Sequence, residues 1–332
     1  MLAAAAGVLA GAAMAATRPH YGGTLHVEVR EPGEMPDPPE SGHLAELSGD
    51  FQITRWEPGR RAVFAAAENA PGGRPFVDAV EIDLARPYRD QALDLELGKA
   101  DLVEAGPAET RRFRRTWSSA PVRLVALVFG ARIQDVRVRE ALALSVDRAA
   151  IHTVLLQRQG EISGGLLPQW LSGYAFLFPA AQDAARARTI LNGITPASRS
   201  LSLGYDTNEP QSRAIAERIA VTARDVGLLV SVTPQWASAD AWLAQVRLGS
   251  ADPAVALAGV AAALNLGEPA KGSGIEALYA AERALLEGYR AVPLFYLPEV
   301  WGVGPRVRTW QVPAIDRDGA WRLGNVWLEK RP

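Results

Sequence analysis

The four histidines, His20, His26, His43 and His152, are not spaced so that any two share a helix face, and cysteine is absent. Thiol catalysis, disulfides and zinc–cysteine sites are therefore excluded, and the sequence predicts neither a metal centre nor a cofactor. The carboxylate pairs Asp101/Glu104 and Asp316/Asp318 have a spacing that acid–base chemistry uses, but both read as loop acids, which are usually solvated. Residues 267–273 hold the letters of a phosphate-binding loop in the wrong order, and Ser273 between two glycines reads as linker. Gly302-Val303-Gly304 lacks the third glycine of a dinucleotide fingerprint, and Pro305 has no N–H to offer a phosphate. Neither a nucleophile elbow nor a zinc-protease motif is present, so the chain reads as a protein that is not an enzyme.

Nine tryptophans are the other chemically distinctive feature: Trp56, Trp117, Trp170, Trp236, Trp242, Trp301, Trp310, Trp321 and Trp327. Indole burial stabilises any core, so packing accounts for most of them. Trp170, Trp236 and Trp242 lie in or near loops, where an indole either packs or walls a ligand cleft. Both readings stay open for each.

The elements that must position these groups follow from length and patterning. A chain of 332 residues exceeds one ordinary core, which predicts two lobes. Hydrophobic residues make up 48% and charged residues 22%, which excludes a disordered chain. A net charge of −2 gives no case for nucleic acid or an anionic membrane as partner. Lys99, Lys271 and Lys330 are the only lysines, so the arginine cluster Arg111, Arg112, Arg114 and Arg115 reads as a solvated helix face. Residues 2–14 form an apolar run, and Ala13-Met14-Ala15 before Ala16 resembles a cleavage site, which predicts an export signal over residues 1–16. Its basic n-region is missing, so the true start is expected upstream; a buried N-terminal helix is the competing reading. Without cysteine no lipoprotein anchor is expected, and polar residues interrupt every later apolar run.

Residues 24–29 alternate as a half-buried strand, and residues 31–42 read as a loop. Short strands are predicted at 51–54, 62–66 and 80–84, and a helix at 90–97 ended by Gly98. The run 121–130 is apolar enough for a strand covered on both faces. Asp135 and Asp147 are placed to cap helices at 136–145 and 148–157, and residues 183–191 form another helix. Residues 201–205, 211–226 and 228–233 read as strand, helix and parallel strand, a βαβ unit. Helices are predicted at 239–247 and 275–287, and a strong strand at 292–297.

Several stretches, in order, resemble the extracellular solute-binding proteins of family 5, the oligopeptide-, dipeptide- and nickel-binding proteins. Gly22-Gly23-Thr24-Leu25-His26-Val27 is similar to the family's first strand. Residues 68–82, with Gly72-Gly73-Arg74-Pro75-Phe76, resemble its "N…GGKPYLDEVEI" segment, and residues 97–103 its "L-x-G-x-x-D-L-V". Residues 135–151 resemble "D-V-R-V-R-x-A-L-x-x-A-I-D-R-x-x-I" at nearly every position. There Asp135 and Asp147 cap helices, and Arg137 and Arg139 are able to pair with acids on the neighbouring lobe. The chain departs from the family between residues 29 and 64, where a large accessory segment is absent. A second contraction lies between residues 242 and 275. The family's "W-x-x-D-Y-x-D-P" stretch, whose acid meets a peptide's amino group, survives there only as Ser250-Ala251-Asp252-Pro253.

The resemblance implies an α/β, two-lobed periplasmic binding protein fold, type II-like with mixed sheets and a reduced accessory domain. Lobe 1 is expected at residues 17–130 plus 293–332 and lobe 2 at 131–292, with crossings near Gly130 and Val292 forming a hinge. The cleft is expected to be lined by Phe129, Gly130, residues 166–174 including Trp170 and Tyr174, residues 205–208 including Tyr205 and Asn208, Trp236, and Asp252. The implied function is capture of a peptide or similar small solute for an ABC permease of the inner membrane, by an exported, periplasmic monomer. A member that has lost its solute and acts as a periplasmic interaction protein is one alternative, and a periplasmic hydrolase the other.

Overall fold

The computed structural model describes residues 18–30, 50–70, 72–106, 109–174, 177–310 and 323–329. The expected export signal, the loop at 31–42 and the Asp316/Asp318 pair lie outside the described residues. The architecture is α/β, with one large mixed sheet of eleven strands among the described residues, and its order decides where a site can form.

Strand β1 (Thr24–Glu28) buries Leu25 and Val27 and runs parallel to β4 (Ala79–Asp83) on one side and β5 (Leu102–Glu104) on the other. Outside β4 lie β3 (Arg61–Ala66) and the edge strand β2 (Phe51–Glu57), both antiparallel. Helix α1 (Tyr88–Glu96) precedes β5, and Gly98 at φ 68° makes the left-handed turn between them. Leu25, Val27, Phe64, Val80, Ile82 and Leu102 form the core of this first half of the molecule, joined by Trp301, Val303 and Trp310.

Two long strands carry the chain into the second half and back. β6 (Thr116–Phe129) and β11 (Ala291–Val303) pair antiparallel along their lengths, with register shifts between Pro293 and Phe295 and on either side of Pro298. Proline cannot donate to the ladder, which is why the irregularities gather there. β5 meets β11 at Trp301–Val303, so the strand at 24–28 and the strand containing 292–297 share one sheet, two places apart. Beyond β6 follow β10 (Ala241–Arg247), β8 (Ser200–Gly204) and β9 (Leu229–Thr233), while the short β7 (Glu161–Ile162) pairs with β11.

The alternation of β6 sorts its side chains onto two covered faces, as its unbroken apolar run predicts. Val125, Leu127 and Phe129 enter a core with α2 (Val136–Ser145), α5 (Ala184–Asn192) and α6 (Ser212–Asp225). Leu124, Ala126 and Val128 enter another with α7 (Pro253–Ala263) and α8 (Ile275–Leu286). These cores take up the strands from Leu124 onward and release them after Leu297, whereas Gly130 and Val292 lie at the far end of the same ladder.

Asp135, Asp147 and Asp183 each accept a first-turn amide at 2.9 Å, from Arg137, Ala150 and Arg186. The βαβ unit β8–α6–β9 is parallel as read from the sequence. Four readings need correction. Residues 239–247 are not a helix: Ala241 and Leu243 are buried while Trp242 and Ala244 are less so, and pairing with β6 and β8 overrides local helix preference. The helix read at 148–157 is α3 (Arg148–Ala150) running into a wide turn over Ile151–Leu155, with Gln157 and Arg158 at positive φ. Arg137 pairs with Asp135 of its own cap at 2.8 Å, and Arg139 donates to the Gln134 carbonyl, so neither reaches the other half. Asp101, read as a surface acid, is buried with its carboxylate gripped by Arg306 at 2.5 and 2.6 Å, and Glu104 lies in β5.

Candidate functional site

The two halves face each other where the strand ends of one meet the β8–α6 turn of the other. Arg30 stands just beyond β1 and Glu104 ends β5, both on the first half. Across from them lie Asn208 and Glu209, in the turn between β8 and α6. The Arg30 guanidinium spans the gap, donating to the Asn208 carbonyl at 2.9 Å and to the Glu209 carboxylate at 2.6 Å. Its backbone N–H donates to Glu104 at 2.6 Å, and its guanidinium carbon lies 5.3 Å from the centre of the Tyr88 ring. Arg111 makes a second, exposed bridge to Gln157 at 2.6 Å.

Beneath this contact the two connecting strands contribute a row of charges. Arg123 of β6 lies 3.8 Å from Glu209 and 3.5 Å from Glu299 of β11, and Arg247, the last residue of β10, donates to Glu299 at 2.8 Å. Burial alone would lower the Arg123 pKa, but Glu299, Tyr88, Glu104 and Glu209 more than reverse that and hold the guanidinium charged. Burial pushes the Tyr88 hydroxyl up to about 12, with Glu104 adding to the shift, so it enters the cluster as a neutral donor. Arg123, Glu104 and Glu299 line a cavity of about 80 Å³ together with Tyr88, Gln211 and Gln245. That volume holds a few water molecules, whereas drug-sized ligands need roughly 300 Å³ or more. Chemically, the arrangement is suited to ion pairing and hydrogen bonding. It contains no nucleophile–base pair, and no metal-holding group of His, Asp and Glu occurs among the described residues.

The opposite face of the sheet carries a larger space. A groove of about 1140 Å³ lies between α7, the arch of residues 265–274 and α8, lined by Leu257, Ala258, Ala262, Ile275 and Leu278 together with Ser172 and Asp252.

The residues picked from the sequence divide among these places. Asn208 belongs to the contact between the halves. Phe129 and Tyr205 are buried in the core under α2 and α6, and the Gly130 amide donates to Asp240 at the far end of β6. Trp236 is half exposed on a short turn whose backbone packs against Gly204. Trp170 donates its indole N–H to the Pro121 carbonyl at 2.9 Å, at the point where β6 passes between the halves. The Tyr174 hydroxyl bonds Glu282 of α8. Asp252 caps α7, accepting from Ala254 at 3.0 Å and Val255 at 3.2 Å, with Pro253 in the first turn. Sequence reasoning missed Arg30, Tyr88, Arg123, Glu209, Arg247 and Glu299. A usable signal existed for two of them, because Arg123 and Glu299 interrupt the otherwise apolar runs at 121–129 and 291–303.

Comparison with known proteins bears on the family and the fold. The sequence profile of the bacterial extracellular solute-binding proteins, family 5 Middle, matches residues 13–263. Among solved structures, the ABC transporter substrate-binding protein CtaP from Listeria monocytogenes superposes with a TM-score of 0.69 at 15% identity, covering 85% of this chain and 66% of that one. NikA from Staphylococcus aureus, in complex with Ni(L-His)2, gives 0.66 at 14% identity, covering 84% and 68%. DppA from Helicobacter pylori, in complex with the peptide STSA, gives 0.67 at 16% identity, covering 85% and 63%. The chain thus spans about two thirds of the length of these proteins. No curated protein sequence matches it. The likeness is one of fold, the two-lobed mixed α/β architecture of periplasmic binding proteins.

Proposed function

Since the chain belongs to family 5 of the bacterial extracellular solute-binding proteins, we propose that it captures a small solute between two lobes and presents it to an ABC permease. The observation that carries this reading is the cleft itself. Two separate cores are joined by β6 and β11, and their facing strand ends meet through Arg30, Asn208 and Glu209. A pair of strands passing between two cores is a hinge, and a hinge with polar jaws closes on a ligand.

In this reading the crossings lie at Pro121 and Pro298, where the register breaks and the core partners change, rather than at Gly130 and Val292. Lobe 1 then holds β1–β5 with the outer parts of β6 and β11, and lobe 2 holds everything between. The solute meets Arg30, Tyr88 and Glu104 on lobe 1 and the β8–α6 turn on lobe 2. Peptides and metal–amino-acid chelates, which the structural neighbours hold, are the first candidates. The protein works outside the cytoplasm as a monomer, and it needs neither cofactor nor resident metal.

One observation favours the alternative of an interaction protein without a transported solute: among the described residues, the cavity beside the ion pairs holds only about 80 Å³. A thermal-shift screen with di- to pentapeptides and nickel–histidine separates the two. A ligand present at 100 times its Kd stabilises the fold by about 2.7 kcal/mol, a shift of several degrees. Such a shift supports solute capture. A flat response to the whole panel rejects it in favour of the interaction protein.

A further inference from the structure

The Arg30–Glu209 contact differs in kind from the other charge pairs of the cleft. Arg123, Arg247 and Glu299 sit on neighbouring strands of one ladder, and lobe movement leaves their mutual pairing intact. Arg30 and Glu209 belong to different lobes, and any opening must separate them. Once separated, Glu209 still has Arg123 at 3.8 Å. Arg30 has no such reserve among the described residues: Glu104 is bonded to its backbone N–H, and Tyr88 offers a ring face. Among the described residues, opening therefore leaves the half-buried guanidinium on lobe 1 without a carboxylate partner, its two terminal nitrogens stripped of the carboxylate and carbonyl they held. A guanidinium fork of that kind matches a carboxylate.

Building on the solute-capture reading, we propose that Glu209 is an internal stand-in for an anionic group of the solute: its carboxylate occupies Arg30 and holds the lobes shut until a solute carboxylate takes its place. The proposal names Arg30 as the anion-recognising residue and a carboxylate-bearing small molecule as the ligand class. It also explains how the cleft is closed by the chain's own side chains, with Asn208 completing the fork.

The test reads lobe closure directly. The natural chain has no cysteine, so Arg60→Cys on the exposed β2–β3 turn and Arg224→Cys on the exposed end of α6 give one dye per lobe for energy transfer. Without any added solute, the otherwise native pair is expected to show high transfer. Glu209→Gln and Arg30→Gln should each shift the closed-to-open ratio about tenfold towards open, the worth of one charge-assisted hydrogen bond. The swap Arg30→Glu with Glu209→Arg should close the lobes again, which separates loss of the pair from misfolding. Tri-alanine with a free C-terminus at 10 mM should then re-close Glu209→Gln, whereas its C-terminal amide should not, and neither should re-close Arg30→Gln. Unchanged transfer in Glu209→Gln overturns the clasp. An opened Glu209→Gln that responds to acid and amide alike, or to neither, overturns the stand-in. The opening is read with no solute present, so a failure of the solute-capture reading in the thermal-shift panel remains a separate result.

Discussion

The Tyr174 hydroxyl donates to the Glu282 carboxylate, and through that bond the segment following β7 is tied to the buried side of α8. The same carboxylate accepts from the Leu166 and Leu167 amides, while the Tyr296 hydroxyl closes the ring on the Leu166 carbonyl. The loop at 163–168 and the short helix α4 (Gln169–Ser172) are thus fixed against the core by one acid and two phenols.

This acid makes stability depend on pH. Burial pushes Glu282 from 4.5 up to about 7, although Tyr174 and the two amides pull the other way. A carboxyl raised in the folded state holds its proton more tightly there, so its stabilising contribution is complete below about 4.5 and is lost as pH climbs through about 7. The span corresponds to a loss on the order of 3 kcal/mol. Urea unfolding at pH 5 and pH 8 should show wild type losing clearly more than Glu282→Gln. Equal losses would refute the assignment.

Asp252 should matter to the fold and not to the solute. It caps α7, which packs on the sheet face opposite Arg30 and Glu209. Asp252→Ala is expected to cost about 1 kcal/mol, and Asp252→Asn only a few tenths, because asparagine also caps. Calorimetry with any solute that binds wild type should give unchanged affinity for both variants. A loss confined to amine-bearing solutes would instead restore Asp252 as a ligand contact.

Asp101 is expected to be among the costliest single changes in lobe 1. Its carboxylate takes two bonds from Arg306 and a third from the His26 amide at 3.0 Å. Asp101→Asn leaves the half-buried Arg306 guanidinium without its counter-charge, a loss of about 1.5–3 kcal/mol. Thermal denaturation compared with Arg306→Met/Asp101→Leu checks the cause. The double variant should recover much of the loss if the unpaired charge is responsible.

Gly204, at the end of β8, leaves room for the close passage of the turn that carries Trp236. A Cβ there would stand 2.5 Å from the Trp236 Cα and 2.9 Å from the Ala239 Cβ. Gly204→Ala should destabilise by about 1–3 kcal/mol through overpacking and displace the turn carrying Trp236. An indole emission spectrum unchanged from wild type would show that the turn gives way without moving its tryptophan.

What the sequence made legible follows from the range of the forces involved. Caps at Asp135 and Asp147, the period of α6 and the alternation of β1 are local, and each is found where the pattern put it. Residues 241–247 were misread because their strand exists through partners at residues 123–129 and 203–204, which no local pattern reveals. The site failed for the same reason. Arg30 and Glu209 are ordinary surface letters until two lobes bring them together, whereas Phe129 and Tyr205, selected for their aromatic rings, were needed by the core.

The ladder joining β6 to β11 has a mechanical consequence. A hydrogen-bonded two-strand ribbon is stiff to stretching and to bending within its plane but soft in torsion. The two lobes are therefore coupled like weights on a short torsion bar, with the breaks around Pro298 as its thinnest section. Opening becomes a twist about the ribbon axis, which moves the rim of the cleft at Arg30 and Glu209 much further than its floor at Arg123 and Glu299. On the solute-capture reading proposed above, a solute that reaches the floor would meet nearly stationary charges while the rim swings over it.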